Sequence, residues 1–492
     1  MLKFEVFNES GLASEWPLVN AHLLGRDNVP VPCKIRFNNG RIECEGGGNQ
    51  AVALCLQFDV SPIGKFMLQT TLLPHRQEPY NLALELARHR IQYVLAKSED
   101  WQMTDPALGQ GAMDTWERSR EAFTAAIISS DPLHANACSL QALELSLRCS
   151  ERLARAHAEI LFLRRYSQKA ASSIVLGTKV PATKKPSSVR ESAHPDLDIL
   201  VVPMNWRQLA SRPGVYDWSQ VDAWIELAQR TGKQVIAGPL IDLHERALPG
   251  YIKHEQADHA RFRDLLYEHL EQVVYRYQSV VGIWNLCSGI HDNANIVLLD
   301  EQMVDLTRMA SLLVRQFKRK AKTLVELTDP YCEAIGNRPD ALSGFQFIDL
   351  LIQEGIHFDC IGLKLLFGES TQGRTMRDTM QISGLLDRLH VRDFPIMITS
   401  TGVPSEQVDP DGGWWREPYS DKLQEAWAGR MMTICLSRPS VQVFCWAELL
   451  DSPEGIMPSI GLVDGEGRAK PALARLCGLR RRMRKPLGDL AK

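Results

Sequence analysis

The chain has no CxxC pair among its 11 cysteines, and the count is odd. A disulfide framework wants an even, patterned set and a structural zinc site wants close pairs, so both are excluded and reduced thiols are expected. No run approaches the ~18 continuous apolar residues of a membrane span. The opening MLKFEVFNESGLASEW has no basic segment followed by an apolar one; no secretory signal is visible, and a cytoplasmic setting is the expectation. Neither sign of charge is in excess: 56 Lys and Arg stand against 59 Asp and Glu, a formal net charge of −3. That leaves no electrostatic case for nucleic acid or for an anionic membrane as a partner. The one basic cluster, RRRMRK at Arg480 to Lys485, reads as a solvated helix end rather than a phosphate-binding patch. With no HxH or HExxH, neither a metal nor another cofactor is expected.

What is present falls into three parts. Residues 1–79 read as a small β-sandwich-like module, with short alternating runs around an Asn39-Gly40 hairpin turn and further strands at 51–60 and 64–73. Its only tryptophan is Trp16, so it offers no aromatic platform and reads as a packing or interaction module. Residues 80–170 switch to apolar positions three and four apart, giving long helices over 81–101 and 134–168 and a third over 113–130. A helical hairpin or bundle follows, its stripe of Leu, Ala and Ile serving as its own core or as a surface for a protein partner or self-association.

From 171 to 492 the pattern is strand–helix alternation. Apolar strands are expected at 172–180, 197–206, 233–244, 280–285, 322–330, 358–367, 394–400 and 441–449, with helices between them and a Pro- and Lys-rich linker at 181–195. Eight strands each followed by a helix predict an α/β fold, a (β/α)8 TIM barrel, about 310 residues long with insertions against ~250 typical. In such a barrel the site lies where strands run out into loops at their C-terminal ends.

The stretch Val281 to Asp292, VGIWNLCSGIHD, has that form: an apolar strand leading into Asn285, Cys287, Ser288, Gly289, His291 and Asp292. It resembles the strand-four signature of family 10 glycoside hydrolases, the xylanase family, in which a tryptophan leads to Asn-Glu. Met204 and Trp206 in PMNW resemble the block after strand two, LPGYI at 248–252 the Leu-Pro-x-Trp after strand three, and FDCIGLK at 358–364 strand six. Trp446 stands where the family has its strand-eight tryptophan, and GLVDGEGRAKPALARL at 461–476 resembles the family's ending. The segment 402–420 reads like an insertion of a bacterial branch that also carries the two N-terminal modules.

The resemblance implies a retaining glycosidase, which needs two carboxylates about 5–5.5 Å apart. It aligns Gly289 with the acid/base Glu and Ser400 with the nucleophile, so no catalytic residue is expected at either position. Val201, Val202, Pro203, Asn205 and Pro239 replace sugar contacts, Lys364 replaces a Gln and Asn285 an Asp. A lysine just inside a barrel mouth needs a partner, either a strand-end acid or an anionic ligand. Candidates for relocated chemistry are Asp242, His244, Glu245, His291, Asp292, Asp329, Glu369 and Glu448, including a Ser400–His244 or Ser400–His291 pair or Asp292 with Glu448. Ligand-binding candidates are Trp446, Trp414, Trp415, Asn205, His244, Asn285, Lys364 and Glu448, because sugars stack on rings and bond to polar side chains.

Three functions follow as expectations. The first is a catalytically degenerate family 10-like protein that binds an oligo- or polysaccharide or a protein. The second is an active xylanase-like enzyme with relocated acids. The third is a self-assembling structural protein.

Overall fold

A computed structural model describes residues 1–105, 107–109, 111–167, 174–181, 183–188, 196–254, 258–338 and 341–484. The expected boundary at 170/171, the first residues of strand one, most of the linker at 181–195 and Lys485 lie outside them.

The N-terminal strands form two larger sheets and a two-stranded ribbon of Phe7–Asn8 with Gly11–Leu12. One has the order Tyr80–Asn81, Leu2–Glu5, Arg41–Gly46, Cys33–Asn38. The hairpin in it turns at Asn39 and Gly40, both with positive φ (48° and 75°), and pairs Asn38 with Arg41. Two left-handed residues in a two-residue turn match the strands' twist, which is why Asn-Gly suits it. The other sheet contains His22–Leu24, Pro30–Val31, Ala53–Val60 and Gly64–Gln69. Its edge is completed from far along the chain: Trp414–Trp415, in the loop after barrel strand seven, pairs antiparallel with Lys65 and Gly64.

Three helices follow, Leu82–Asp100, Ala112–Ile128 and Pro132–Ser167. Asn81 caps the first, accepting from the Leu84 amide. Their stripe packs inward through residues such as Leu86, Leu143, Leu147 and Leu153, all essentially buried. The helices also grip the barrel. Arg90 and Asp378 form an ion pair at 2.7 Å with both side chains almost wholly buried. Glu151 accepts from the Thr379 amide and hydroxyl and from Trp415 Nε1. Arg165 donates to the carbonyls of Leu436, Arg438 and Val441.

Eight parallel strands close the barrel: Val175–Lys179, Ile199–Val202, Gln234–Ala237, Ile283–Ser288, Lys322–Leu327, Cys360–Leu366, Ile396–Gly402 and Val441–Trp446. Closure is made by strand three against strand four, Ile236 opposite Ile283. Ile199, Val201, Ile236, Ile283, Leu324, Cys360, Met397, Val443 and Cys445 fill the interior, the packed core that such barrels need. Most strand ends differ from expectation by a few residues, strand three stopping at Ala237, strand five at Leu327 and strand eight at Trp446, and strand seven reaching Gly402; two others have a local cause. Strand two stops at Val202 because Asn205 caps a short helix starting at Trp206. Strand four runs on to Ser288, past a bulge between Asn285 and Cys287, because all six of its residues are buried. The basic stretch near the C-terminus is partly neutralised: Arg480 and Arg484 bond Asp198, and Arg481 pairs with Asp196.

Candidate active site at the barrel mouth

Alternation along the strands sets which side chains point inward. Leu324 lies in the interior layer, so Glu326, two residues on, faces the same way near the end of strand five. Cys360 in strand six places Lys364 likewise. Lys364 Nζ lies 3.2 Å from Glu326 Oε2 and donates to Ser288 Oγ at 3.1 Å, while Ser288 donates to the same carboxylate oxygen at 2.5 Å. Burial pushes the Glu326 carboxyl up, but the Lys364 charge and hydrogen bonds from Ser288, Thr399 and Lys364 outweigh it and hold the group below its ordinary value. Glu326 was not among the sequence candidates. Its one signal is a lone acid in the strand KTLVEL, at the parity of the strand's inward residues.

Other charges around the mouth are also engaged. Lys179, at the end of strand one, bonds Glu448 at 2.9 Å. His244 Nδ1 lies 2.9 Å from Asp242 Oδ1. That bond raises the His244 pKa against the opposing effect of burial. Burial likewise pushes Asp242 up, yet bonding to His244 and the charges of His244 and Lys364 bring it below its ordinary value. Thr328 donates to Asp292 Oδ2 at 2.6 Å, and Asp292 Oδ1 has no partner among the described residues. Asp329 is buried. Its pKa is pushed up to about 7 by burial, then by the neighbouring charges of Glu333 and Asp292, with Arg377 opposing. Glu333 is tied to Arg377 and to the Gly373 amide.

Gly289 follows strand four with φ +60°. A Cβ there would lie 2.5 Å from Thr328 Oγ1 and 2.7 Å from Asp292 Oδ1, inside van der Waals contact. Ser400 is buried on strand seven opposite Lys364 in the ladder, and its Oγ has no hydrogen-bond partner among the described residues. It therefore makes no bond to His244 or His291. His291 Nδ1 sits 3.1 Å from the Leu342 carbonyl, and Nε2 has no partner among the described residues.

The remaining candidates scatter. Trp446 is fully enclosed, its Nε1 donating to the Ile460 carbonyl and its ring edge-on to Trp427. Trp415 is buried against Glu151 and Arg416, and Trp414 is half-buried near Lys65. None of these three rings stands open beside the Lys364–Glu326 pair. Asn205 spends its side-chain oxygen on the Gln208 amide. Asn285 is buried, and its Oδ1 has no partner among the described residues. Glu369 pairs with Arg374, and Glu245 is exposed. The structure thus brings together Lys364, Ser288 and Glu326, with Asp242 and His244 near enough for their charges to feel Lys364. Among the described residues no three His, Cys, Asp or Glu side chains are grouped to hold a metal. Among them too, no helix is long and apolar enough to cross a membrane.

A closed eightfold parallel barrel with its polar side chains gathered at the C-terminal ends of the strands is the architecture of a TIM-barrel protein. The chain belongs to glycosyl hydrolase family 10, whose family model matches residues 167–472. It is thus xylanase-like in family and fold. Similar solved structures include xylanase 10B from Thermotoga petrophila RKU-1 in complex with xylobiose, at 16% identity over 64% of this chain and 98% of that one with a TM-score of 0.49. A second is native xylanase 10B from Thermotoga maritima, at 16% identity over 65% and 98% with a TM-score of 0.47. A third is GH10 from Paenibacillus barcinonensis, at 15% identity over 64% and 96% with a TM-score of 0.48. No curated protein matches the chain.

Proposed function

We propose that this family 10 member is catalytically degenerate and works as a carbohydrate-binding protein rather than as a double-displacement glycosidase. The observation that carries the reading is the packing at Gly289, where Thr328 and Asp292 occupy the space that an acid/base side chain would need. Ser400 adds to it, because a hydroxyl without a base is a poor nucleophile toward an anomeric carbon. Two carboxylates are required at a fixed spacing, and roles at a site are not additive, so a gap at both positions removes the route altogether. Glu326 does not replace them: it is a single carboxylate where two are needed, and it is paired with Lys364 and accepts from Ser288. Glu448 is likewise engaged by Lys179.

The test is an assay of the purified protein on an aryl β-xylobioside beside a melting curve with xylo-oligosaccharide. The expected result is no turnover and a raised Tm, since a ligand that binds only the folded state stabilises it. Turnover that disappears in Asp292→Asn or Glu448→Gln would instead establish an enzyme with relocated acids.

A further inference from the structure

One groove lies away from the Lys364–Glu326 pair. It opens on the outside of the barrel, where the helices His259–Tyr277 and Asp300–Phe317 turn toward strands four and five, and it encloses about 730 Å³. Small-ligand sites commonly have volumes of about 300–1,000 Å³. Trp218, Tyr275 and Phe317 supply its rings, Arg276 and Lys318 its cations, and Gln272 an amide.

Trp218 is held firmly for a surface ring. Tyr216 stacks on it with centroids 4.7 Å apart and planes 3° apart, Tyr277 meets it edge-on at 5.8 Å, and the Arg276 guanidinium lies 5.2 Å from its centroid. Tyr275 is left open instead. It is 65% exposed and braced from the side by Phe317, with centroids 5.9 Å apart. Neither cation is arranged to clamp an anion. Arg276 spends Nε and Nη2 on Asp222, and Lys318 Nζ donates to the carbonyls of Val281 and Ser279. What stays available is an aromatic face with uncharged hydrogen-bonding groups beside it, the exposed Gln272 amide and the Ser279 hydroxyl. A flat apolar face bordered by neutral donors and acceptors suits a ligand with apolar C–H faces and hydroxyl edges.

We propose that this groove is a saccharide-binding site, with Tyr275 as the stacking platform and Gln272 as a polar contact. It rests on the carbohydrate-binding reading only for the class of ligand, and it holds whether or not the mouth turns substrate over. Calorimetry of the full chain with xylohexaose tests it, using wild type, Tyr275→Ala, Tyr275→Phe and Gln272→Ala. These side chains are exposed, and an unchanged Tm checks that each variant is folded. Expected are a tenfold or greater loss of affinity in Tyr275→Ala, retention in Tyr275→Phe and a smaller loss in Gln272→Ala. Equal affinity of wild type and Tyr275→Ala overturns the groove while leaving carbohydrate binding elsewhere on the chain intact. Turnover of an aryl β-xylobioside with affinity still lost in Tyr275→Ala supports the groove and defeats the non-hydrolytic reading instead. No heat of binding to wild type at millimolar xylohexaose overturns the groove.

Discussion

The mouth of the barrel and the seam between barrel and helices both bury charge, and they do so to different ends. At the seam, Arg90 meets Asp378 across 288 residues of chain, and Asp378 also caps the helix Thr379–His390 through the Met380 and Gln381 amides. One carboxylate therefore fixes a docking position and starts a helix. At the mouth, Lys364, Ser288 and Glu326 satisfy one another, all from barrel strands, while Ser400 Oγ and Asn285 Oδ1 are buried without partners among the described residues. Arg90 Nε and Nη1 at the seam are likewise buried without partners among the described residues, so both regions leave polar atoms unsatisfied at a cost in stability. The charge pair at the seam ties the helices to the barrel, whereas the groups at the mouth all belong to the barrel's own strands.

Breaking the seam should have the larger effect. Arg90→Ala leaves Asp378 buried with its main counter-charge gone, and a loss of about 3–5 kcal/mol is expected in urea denaturation. If the variant melts like wild type, the pair is not what joins helices to barrel. At the mouth, Lys364→Met strands Glu326 and should cost about 3 kcal/mol, somewhat less because Ser288 still donates to the carboxylate. The double variant Lys364→Met with Glu326→Leu should recover much of that, since removing both charges removes the unpaired one. The mouth pair also has a pH signature. A folded-state pKa below the ordinary carboxylate value means stability that is present above the unfolded pKa and lost as pH falls through the folded one, so Glu326→Gln should flatten the acid limb of a Tm–pH curve.

Asp329 should act in the opposite sense. Its folded pKa lies at about 7, above the unfolded value, so its contribution is complete below about pH 4 and is lost as pH rises through 7. Asp329→Asn should raise Tm at about pH 8 and leave it nearly unchanged at about pH 4. An equal shift at both values would mean that Arg377 and the Ala334 amide, which favour the ionised form, dominate the site.

Much of the architecture was legible in the chain because burial writes itself into spacing. Eight apolar runs separated by helical periods gave the barrel, Asn39-Gly40 gave the hairpin, and three-and-four spacing gave the helices. The site was legible only in part. Lys364 stood out as needing a partner, but Glu326 did not announce itself, because one acid in a strand is read as solvent-facing until the barrel shows which parity points inward. Trp446, Trp414 and Trp415 were readable as aromatic, and not as enclosed or, for Trp414, half-buried. Their rings are covered by residues such as Trp427, Lys65 and Glu151, which lie tens to hundreds of residues away along the chain, and no local pattern carries that information. The completion of the N-terminal sheet by Trp414–Trp415 was hidden for the same reason.

The smallest expected change in stability carries the most for function. Gly289→Ala puts a side chain on a residue with φ +60° and drives Cβ toward Thr328 Oγ1, at a cost of about 1–3 kcal/mol. The same packing bears on restoration. If, on the proposed reading, the side chains at these two positions were the whole difference from a working glycosidase, Gly289→Glu with Ser400→Glu should yield turnover of an aryl β-xylobioside. The geometry predicts that it does not. A glutamate side chain in place of Gly289 must displace Thr328 and Asp292, and one in place of Ser400 would enter a buried position beside the Lys364–Glu326 pair. Measurable turnover by that double variant would mean that the mouth differs from a catalytic one in two side chains only, and that its ion pairs yield readily to substrate.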